Sequence, residues 1–210
     1  MNSTKPSITP APNGPYLVSQ FSNLRNSTGP IEAKGQIALC RCGGSANKPF
    51  CDGTHSKNGF SDAKLDGRTD DKRENYQGEQ ITIHDNRGIC AHAGRCTNGL
   101  ASVFRLNQEP WIDPDGASRK KIIDTIKQCP SGALSFSVNG QENIDQADEP
   151  GIMVAKNGPY VVTGGLELVG VTQGEGASKV NFTLCRCGGS KNKPFCDGTH
   201  WQIKFQDDKN

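Results

Sequence analysis

A sixteen-residue segment occurs twice in this 210-residue chain: CRCGGSANKPFCDGTH at 40–55 and CRCGGSKNKPFCDGTH at 185–200. The copies differ at one position, Ala46 against Lys191. The repeat reaches upstream, where Asn13-Gly14-Pro15-Tyr16 recurs as Asn157-Gly158-Pro159-Tyr160 with about one residue of slippage between its halves. An internal repeat marks one small unit used twice. A unit of this size buries too little apolar surface to stand on its core alone, so something else has to hold it. Each copy supplies three cysteines and a histidine in the pattern C-x-C-x8-C-x3-H.

The rest of the composition agrees. Apolar residues make up 33% of the chain, which also has 25 glycines and 12 prolines. The nine cysteines are odd in number and fall in three tight groups, whereas a secreted disulfide scaffold usually has an even set and a signal peptide. The first residues, MNSTKPSITPAPNG, contain no apolar stretch of the secretory kind, and no run approaches the roughly 18 apolar residues of a membrane helix. A soluble protein of the reducing cytoplasm, with no membrane partner, is expected. The net charge of +2 does not indicate a nucleic-acid grip. Both ends are basic and the middle, 61–150, is acidic; a solvated surface is the simplest reading of that split.

Within the first repeat, Cys40 and Cys42 are too close for an easy disulfide, but both thiolates can reach one metal ion. Cys51 and His55 are four residues apart, so a helical turn places them on one face for a second ion. Cys185 and Cys187, then Cys196 and His200, repeat the arrangement. Three thiolates and one imidazole suit a [2Fe–2S] rhomb, and Gly43, Gly44 and Gly53 let backbone amides approach its sulfurs. A Cys3His zinc site uses the same ligand types, and spacing alone leaves it open. Ile37, Ala38 and Leu39, and later Val180, Phe182 and Leu184, predict strands entering each loop. Asp52 and Asp197 are placed to cap a short helix after the third cysteine.

These residues resemble the CDGSH iron–sulfur family, the mitoNEET type, whose signature is C-x-C-x2-[ST]-x3-P-x-C-D-G-[SAT]-H. Ser45 and Pro49, then Ser190 and Pro194, complete the match in both copies. The resemblance implies one [2Fe–2S] cluster on Cys40, Cys42, Cys51 and His55, and another on Cys185, Cys187, Cys196 and His200. Single-motif members of that family pair as dimers. The two copies are therefore expected to pack as a pseudo-two-fold pair, either within a monomer or between chains of a homodimer.

Between the copies, residues 90–130 carry C-A-H-A-G-R-C and later C-P. A cubane ferredoxin loop reads C-x2-C-x2-C with a distal C-P. Cys90, Cys96 and Cys129 fill three of those positions, while Ala93 stands at the second and cannot ligate. Three cysteines hold a [3Fe–4S] cluster; a [4Fe–4S] cluster needs a fourth ligand, for which His92 is the candidate. A cluster-free fold with three buried cysteines is the plain alternative. The segment resembles the divergent single-cluster ferredoxin domain found beside CDGSH motifs. Strands at 79–85, through Ile81 and Ile83, and at 133–138 are expected. A helix over 119–128, capped by Ser118, presents Ile122, Ile123 and Ile126.

The expected fold is small α+β: two β-rich CDGSH modules with an inserted ferredoxin-like βα/αβ domain. The divisions are a disordered tail over 1–12, the first module at 13–60 and a linker at 61–78. The middle domain at 79–140, a linker at 141–152 and the second module at 153–206 follow. Trp111, Trp201, Tyr16, Tyr76 and Tyr160 are expected to pack in small cores. His84, Lys48 and Lys193 are expected at the surface, and TQGEGAS (172–178) as a loop. Units this small enclose no substrate pocket, and no nucleophile or acid–base set stands outside the ligands, so a lone enzyme is not expected. Electron transfer or redox sensing with a flavoprotein or ferredoxin-like partner fits best. Cluster donation to apo-proteins, or a place in a larger oxidoreductase, is the alternative.

Overall fold

The computed structural model describes residues 5–143 and 149–209. In each copy the Asn-Gly-Pro-Tyr segment turns a hairpin. Asn13 and Asn157 lie at φ 48° and 50°, in the left-handed region that asparagine tolerates better than most side chains. In the first copy, strands β1 (Ser7–Pro10) and β2 (Tyr16–Ser19) flank that turn. Strands β3 (Leu24–Asn26), β4 (Gly29–Pro30) and β5 (Ile37–Leu39) follow, and β5 delivers the chain to Cys40.

The middle unit contains β6 (Arg73–Gln77), β7 (Thr82–Asn86), helices α1 (Arg95–Gly99) and α2 (Arg119–Ile126), then β8 (Leu134–Val138) and β9 (Gln141–Asn143). The second copy comprises β10 (Gly151–Val154), β11 (Tyr160–Thr163), β12 (Glu167–Leu168), β13 (Phe182–Leu184) and α3 (Thr199–Gln202). The result is a small α+β architecture of three sheets, with strand orders β12-β1-β2-β5, β13-β11-β10-β3-β4 and β6-β7-β8-β9.

The first two sheets exchange strands. β12 of the second copy joins the first copy's sheet parallel to β1, with Ile8 opposite Leu168. β3 of the first copy joins the second copy's sheet parallel to β10, with Leu24 opposite Ile152. One apolar core serves both copies: Ile8, Tyr16, Val18 and Leu39 pack with Ile152, Tyr160, Val162 and Leu184. At its centre the rings of Tyr16 and Tyr160 meet edge to face, centroids 6.0 Å apart. Each hydroxyl then reaches the other copy's cysteine loop. Tyr16 Oη lies 2.9 Å from Cys185 O and 3.0 Å from Pro194 O, and Tyr160 Oη lies 2.9 Å from Cys40 O and 3.0 Å from Pro49 O. A single phenol proton is shared between two carbonyls in each case.

A second core belongs to the middle unit. Ile83, Leu134 and Phe136 come from its sheet, Ile81 from the turn before β7 and Phe104 from the chain between the helices, and α2 adds Ile122 and Ile126 at i, i+4 spacing, with Ile123 half-buried. Ser118 takes the N-cap position with an extended backbone, but its side chain makes no capping bond. The unit leans on the second copy. Ile89 and Ala133 enter the shared core, and Asn86 Nδ2 donates to Glu175 O at 3.1 Å in the 172–178 loop.

Three expectations need correction. Residues 7–10 are not part of a disordered tail: Ile8 is buried, and β1 is bonded on both sides. Once Asn13–Tyr16 turns, the chain before it has a partner strand. Residues 1–4 lie outside the described residues. The 61–78 linker ends in a strand, β6, with Tyr76 opposite Ile83; its charges mark an edge strand with one face to solvent. Likewise β9 occupies the start of the polar 141–152 linker, of which 144–148 lie outside the described residues.

Removing either tyrosine hydroxyl leaves a buried loop carbonyl short of a partner. Tyr16→Phe and Tyr160→Phe should each lower stability by about 1–3 kcal/mol. Urea unfolding would check this, and unchanged midpoints in both variants would refute the cross-copy bonds.

Candidate metal centres

In each loop the backbone closes on itself before the ligands are placed. Cys40 N donates to Pro49 O and Cys51 N to Ala38 O, both at 2.8 Å, so the ends of the loop lie side by side. The second copy repeats this through Cys185 N to Pro194 O at 2.8 Å and Cys196 N to Thr183 O at 3.0 Å. Ser45 and Ser190 span their loops, each donating to the carbonyl of the phenylalanine before the third cysteine at 2.7 Å.

The ligands then fall into pairs. Cys40 Sγ stands 3.8 Å from Cys42 Sγ, and Cys51 Sγ 3.4 Å from His55 Nδ1. The second loop gives 3.8 Å for Cys185–Cys187 and 3.4 Å for Cys196–His200. Two sulfurs bound at ~2.3 Å to one tetrahedral ion lie ~3.8 Å apart, and a sulfur with an imidazole nitrogen lies slightly closer. Each pair therefore has the spacing of two donors on one metal ion, and Nδ1 is the imidazole nitrogen turned toward the cysteine sulfur. Among the described residues, no group of three or more His, Cys, Asp or Glu side chains forms a single-ion site. Amides of Gly44, Gly53 and Gly189 donate to the cysteine sulfurs of Cys42, Cys51 and Cys187 at 3.4 Å, which fits thiolates holding a cation. Burial pushes the Cys40 thiol up to about 11 and raises Cys196 as well, so ionisation there calls for a compensating positive charge.

Asp52 and Asp197 act one residue earlier than a helix cap. Asp52 Oδ1 accepts from Thr54 N at 3.0 Å and Oδ2 from Ala46 N at 2.8 Å, while left-handed Gly53 occupies the N-cap position. These bonds, Thr54's first, hold the Asp52 carboxyl below its usual range. At Asp197 burial pushes the other way, but hydrogen bonds from Thr199 and Lys191 outweigh it.

The two loops meet back to back. Cys42 and Cys187 form an isolated antiparallel bridge. A Cβ on Gly43 would stand 2.5 Å from Cys187 O, and one on Gly188 2.5 Å from Cys42 O, so this approach requires glycine at both positions.

The middle unit brings Cys90, Cys96 and Cys129 to one cavity of about 150 Å³, together with His92, Ala93, Asp85 and Arg87. Cys90 follows the turn after β7, Cys96 sits in α1, and Cys129 lies just beyond α2. Burial drives the Cys90 thiol up to about 12 and raises Cys96. Arg87 Nη1 donates to Cys90 Sγ at 3.9 Å, and its guanidinium lies 4.0 Å over the Trp111 ring. Three sulfurs and a cation around one cavity fit an anionic iron–sulfur group.

Other expected positions differ. His84 is not a surface residue: it is buried in β7, bonded to Asn75 Oδ1 at 2.6 Å and Ser137 Oγ at 3.1 Å. Lys193 is buried and donates to Ser190 O at 2.6 Å; half-buried Lys48 does the same to Ser45 O at 2.7 Å. Trp201 is 62% exposed and lies beside His200, ring centroids 5.0 Å apart.

Sequence reasoning missed Asp85. It is 1% exposed, lines the middle cavity, and neither oxygen has a hydrogen-bond partner among the described residues. The nearest cation, Arg87 Nε, is 3.8 Å away. Its only signal was a charge at a core-facing position of β7, two residues after Ile83. Burial pushes its carboxyl up to about 7, with Arg87 opposing that only in part.

Comparison with known proteins matches residues 13–56 and 157–201 to the family described as iron-binding zinc finger CDGSH type. Residues 76–139 match a divergent 4Fe-4S mono-cluster family. The chain is 41% identical over 61 residues to the uncharacterized protein YjdI of Escherichia coli K12, covering 29% of this chain and 80% of that protein. The same figures hold for YjdI of Escherichia coli O157:H7. No solved structure matches the chain. No helix among the described residues is long and apolar enough to cross a membrane.

Asp85 generates a pH prediction. Its folded value near 7 lies above the usual 3.8, so any stability it lends is complete below the lower value and drains away as pH rises through the higher one. The stability advantage of Asp85→Asn over wild type should therefore widen by about 1 kcal/mol between about pH 6 and about pH 8. A pH-independent difference in urea midpoints would mean that the carboxyl titrates normally.

Proposed function

This chain belongs to the CDGSH-type iron-binding family and carries a divergent 4Fe-4S mono-cluster unit between its CDGSH segments, and from that premise we propose a three-cluster electron-transfer protein. On this reading Cys40, Cys42, Cys51 and His55 hold one [2Fe–2S] cluster, and Cys185, Cys187, Cys196 and His200 hold another. Cys90, Cys96 and Cys129 hold a [4Fe–4S] or [3Fe–4S] cluster. The observation that carries the proposal is the pairing of the ligands. Two donors at the bite of one ion, twice per motif, are what a two-iron rhomb takes, whereas a lone zinc ion would gather all four at one point.

When bound, such groups supply one-electron redox chemistry. The chain's own residues set the conditions for it. Glycine amides donate to the thiolates and offset their charge. A histidine in place of a fourth cysteine removes a negative charge from the ligand set, which favours the reduced state, and its second ring nitrogen gives electron gain a route to couple to proton transfer. Tyr16 and Tyr160 tie each loop to the other copy, which supports a pseudo-two-fold pair within one chain. The middle unit is then an insert resting on that pair.

Partners on this reading are redox proteins, a flavoprotein or another ferredoxin-like carrier, and not nucleic acids or membranes. All nine cysteines are free, which suits the reducing cytoplasm. A second reading, donation of clusters to apo-proteins, is favoured by one observation: Cys51 and His55 are only half-buried.

Iron, acid-labile sulfide and electron paramagnetic resonance (EPR) of the anaerobically isolated protein test the assignment. A sulfide-free zinc protein would end it. With clusters present, His55→Cys or His200→Cys should lower the potential of the altered site by on the order of 100 mV. Most of that site's pH dependence should go with it. Protein-film voltammetry with unchanged potentials and slopes in both variants would exclude the histidines as ligands.

A further inference from the structure

Two nearly identical loops sit in unlike surroundings, and the middle unit is the cause. In the second loop Asn192 Nδ2 donates to Gly88 O at 2.7 Å, and Lys191 O accepts at 2.9 Å from Leu65 N in the segment that leads into the middle unit. The His92 ring lies against Gly198 so closely that a Cβ on that glycine would stand 2.5 Å from Cδ2. At Gly53, its counterpart in the first loop, an added Cβ meets nothing within 4 Å. Asn47, the counterpart of Asn192, is exposed. The ligands register the difference: Cys196 is 3% and His200 4% exposed, while Cys51 and His55 are half-buried.

The covering residues are not incidental to the middle unit. Gly88 and His92 flank Cys90, and His92 lines the same cavity as Cys90, Cys96 and Cys129. His92 holds a left-handed backbone, φ 51°, and its ring is part of the wall between that cavity and the second loop. The second loop in turn touches the first through Cys42 and Cys187. The three sites therefore lie in the order middle, second, first.

We propose that His92 is a positioning residue that closes the second CDGSH site against the middle unit, leaving the first as the labile site from which a cluster is lost or handed on. The two repeats, alike in ligands, are then unequal in function. The proposal rests on the cluster-binding reading above.

The test is cluster loss from the anaerobic, fully loaded protein in excess iron chelator, followed by the EPR signal of reduced [2Fe–2S] centres in timed samples. Wild type should lose its two such centres in two phases of equal amplitude. Cys51→Ser should remove the fast phase and Cys196→Ser the slow one. His92→Ala should speed the slow phase by about 10- to 100-fold and leave the fast phase alone, with an unchanged urea-unfolding midpoint as its folding control. His92→Phe, which fills the same space but cannot ligate, should restore slow loss. A single phase in wild type overturns the proposal, as does a His92→Phe protein as labile as His92→Ala. Protein without acid-labile sulfide fails the earlier reading and this one together; loaded protein with single-phase loss fails only this one.

Discussion

A loop that turns two cysteine sulfurs toward a metal turns its own carbonyls the other way, and in this protein that direction is the interior. Cys40 O and Cys185 O face the core, where an unpaired carbonyl costs about 1–3 kcal/mol. The partner each needs is a tyrosine hydroxyl from the opposite copy. Neither copy supplies its own: Tyr16 serves the second loop and Tyr160 the first. Strand exchange follows the same logic, since β3 and β12 each complete the other copy's sheet. The repeat is thus one folding unit with two cysteine loops rather than two modules on a string, and its shared core spreads a low apolar content over both.

Cations sit beneath each loop. Arg186 is buried, with Nε bonded to Gly158 O at 2.8 Å, Nη2 to Ala155 O at 2.8 Å and Nη1 to Asp207. Arg41, its counterpart, pairs with Asp62 at 2.6 Å while its Nε has no partner among the described residues. Both guanidiniums lie over the neighbouring tyrosine, at 5.2 Å for Arg41–Tyr16 and 5.7 Å for Arg186–Tyr160. Each guanidinium is paired with a carboxylate, so it brings little net charge to its loop and acts as a brace that ties the loop to the chain beyond it. Two nearly equal loops, one more fully braced than the other, are the structural basis of the inequality attributed to His92.

How far the chain could be read depended on whether a residue's role was local. Cys51 and His55 are four apart on one turn, so their pairing was visible as spacing, and so was that of Cys40 with Cys42. Ile122 and Ile126 showed their helix in the same way. Ile8 did not show its strand, because a lone apolar residue among Pro, Thr and Ser has no period; the comparison that reveals it is with Ile152, its counterpart in the second copy. His84 read as a surface residue because nothing nearby in sequence names Asn75 or Ser137 as its partners; Lys193 did so although its acceptor, Ser190 O, is only three residues away, because the burial of a lysine is set by what packs over its loop. His92 was visible as chemistry near Cys90, but Gly198, the residue its ring meets, lies more than a hundred residues on, in the second repeat.

Which cysteines and histidines each motif offers, how many, and the twofold use of one loop are properties of residue type and short spacing, and the sequence alone determined them. It also carried the strands that enter each loop and the helix between the outer cysteines, because alternation and i, i+4 periodicity act over a few residues. Which tyrosine meets which loop, where Asp85 is buried, and which of two matching loops lies under the middle unit were decided only by tertiary structure. Such contacts join residues that are distant along the chain, and their free energy appears only when the elements carrying them are packed.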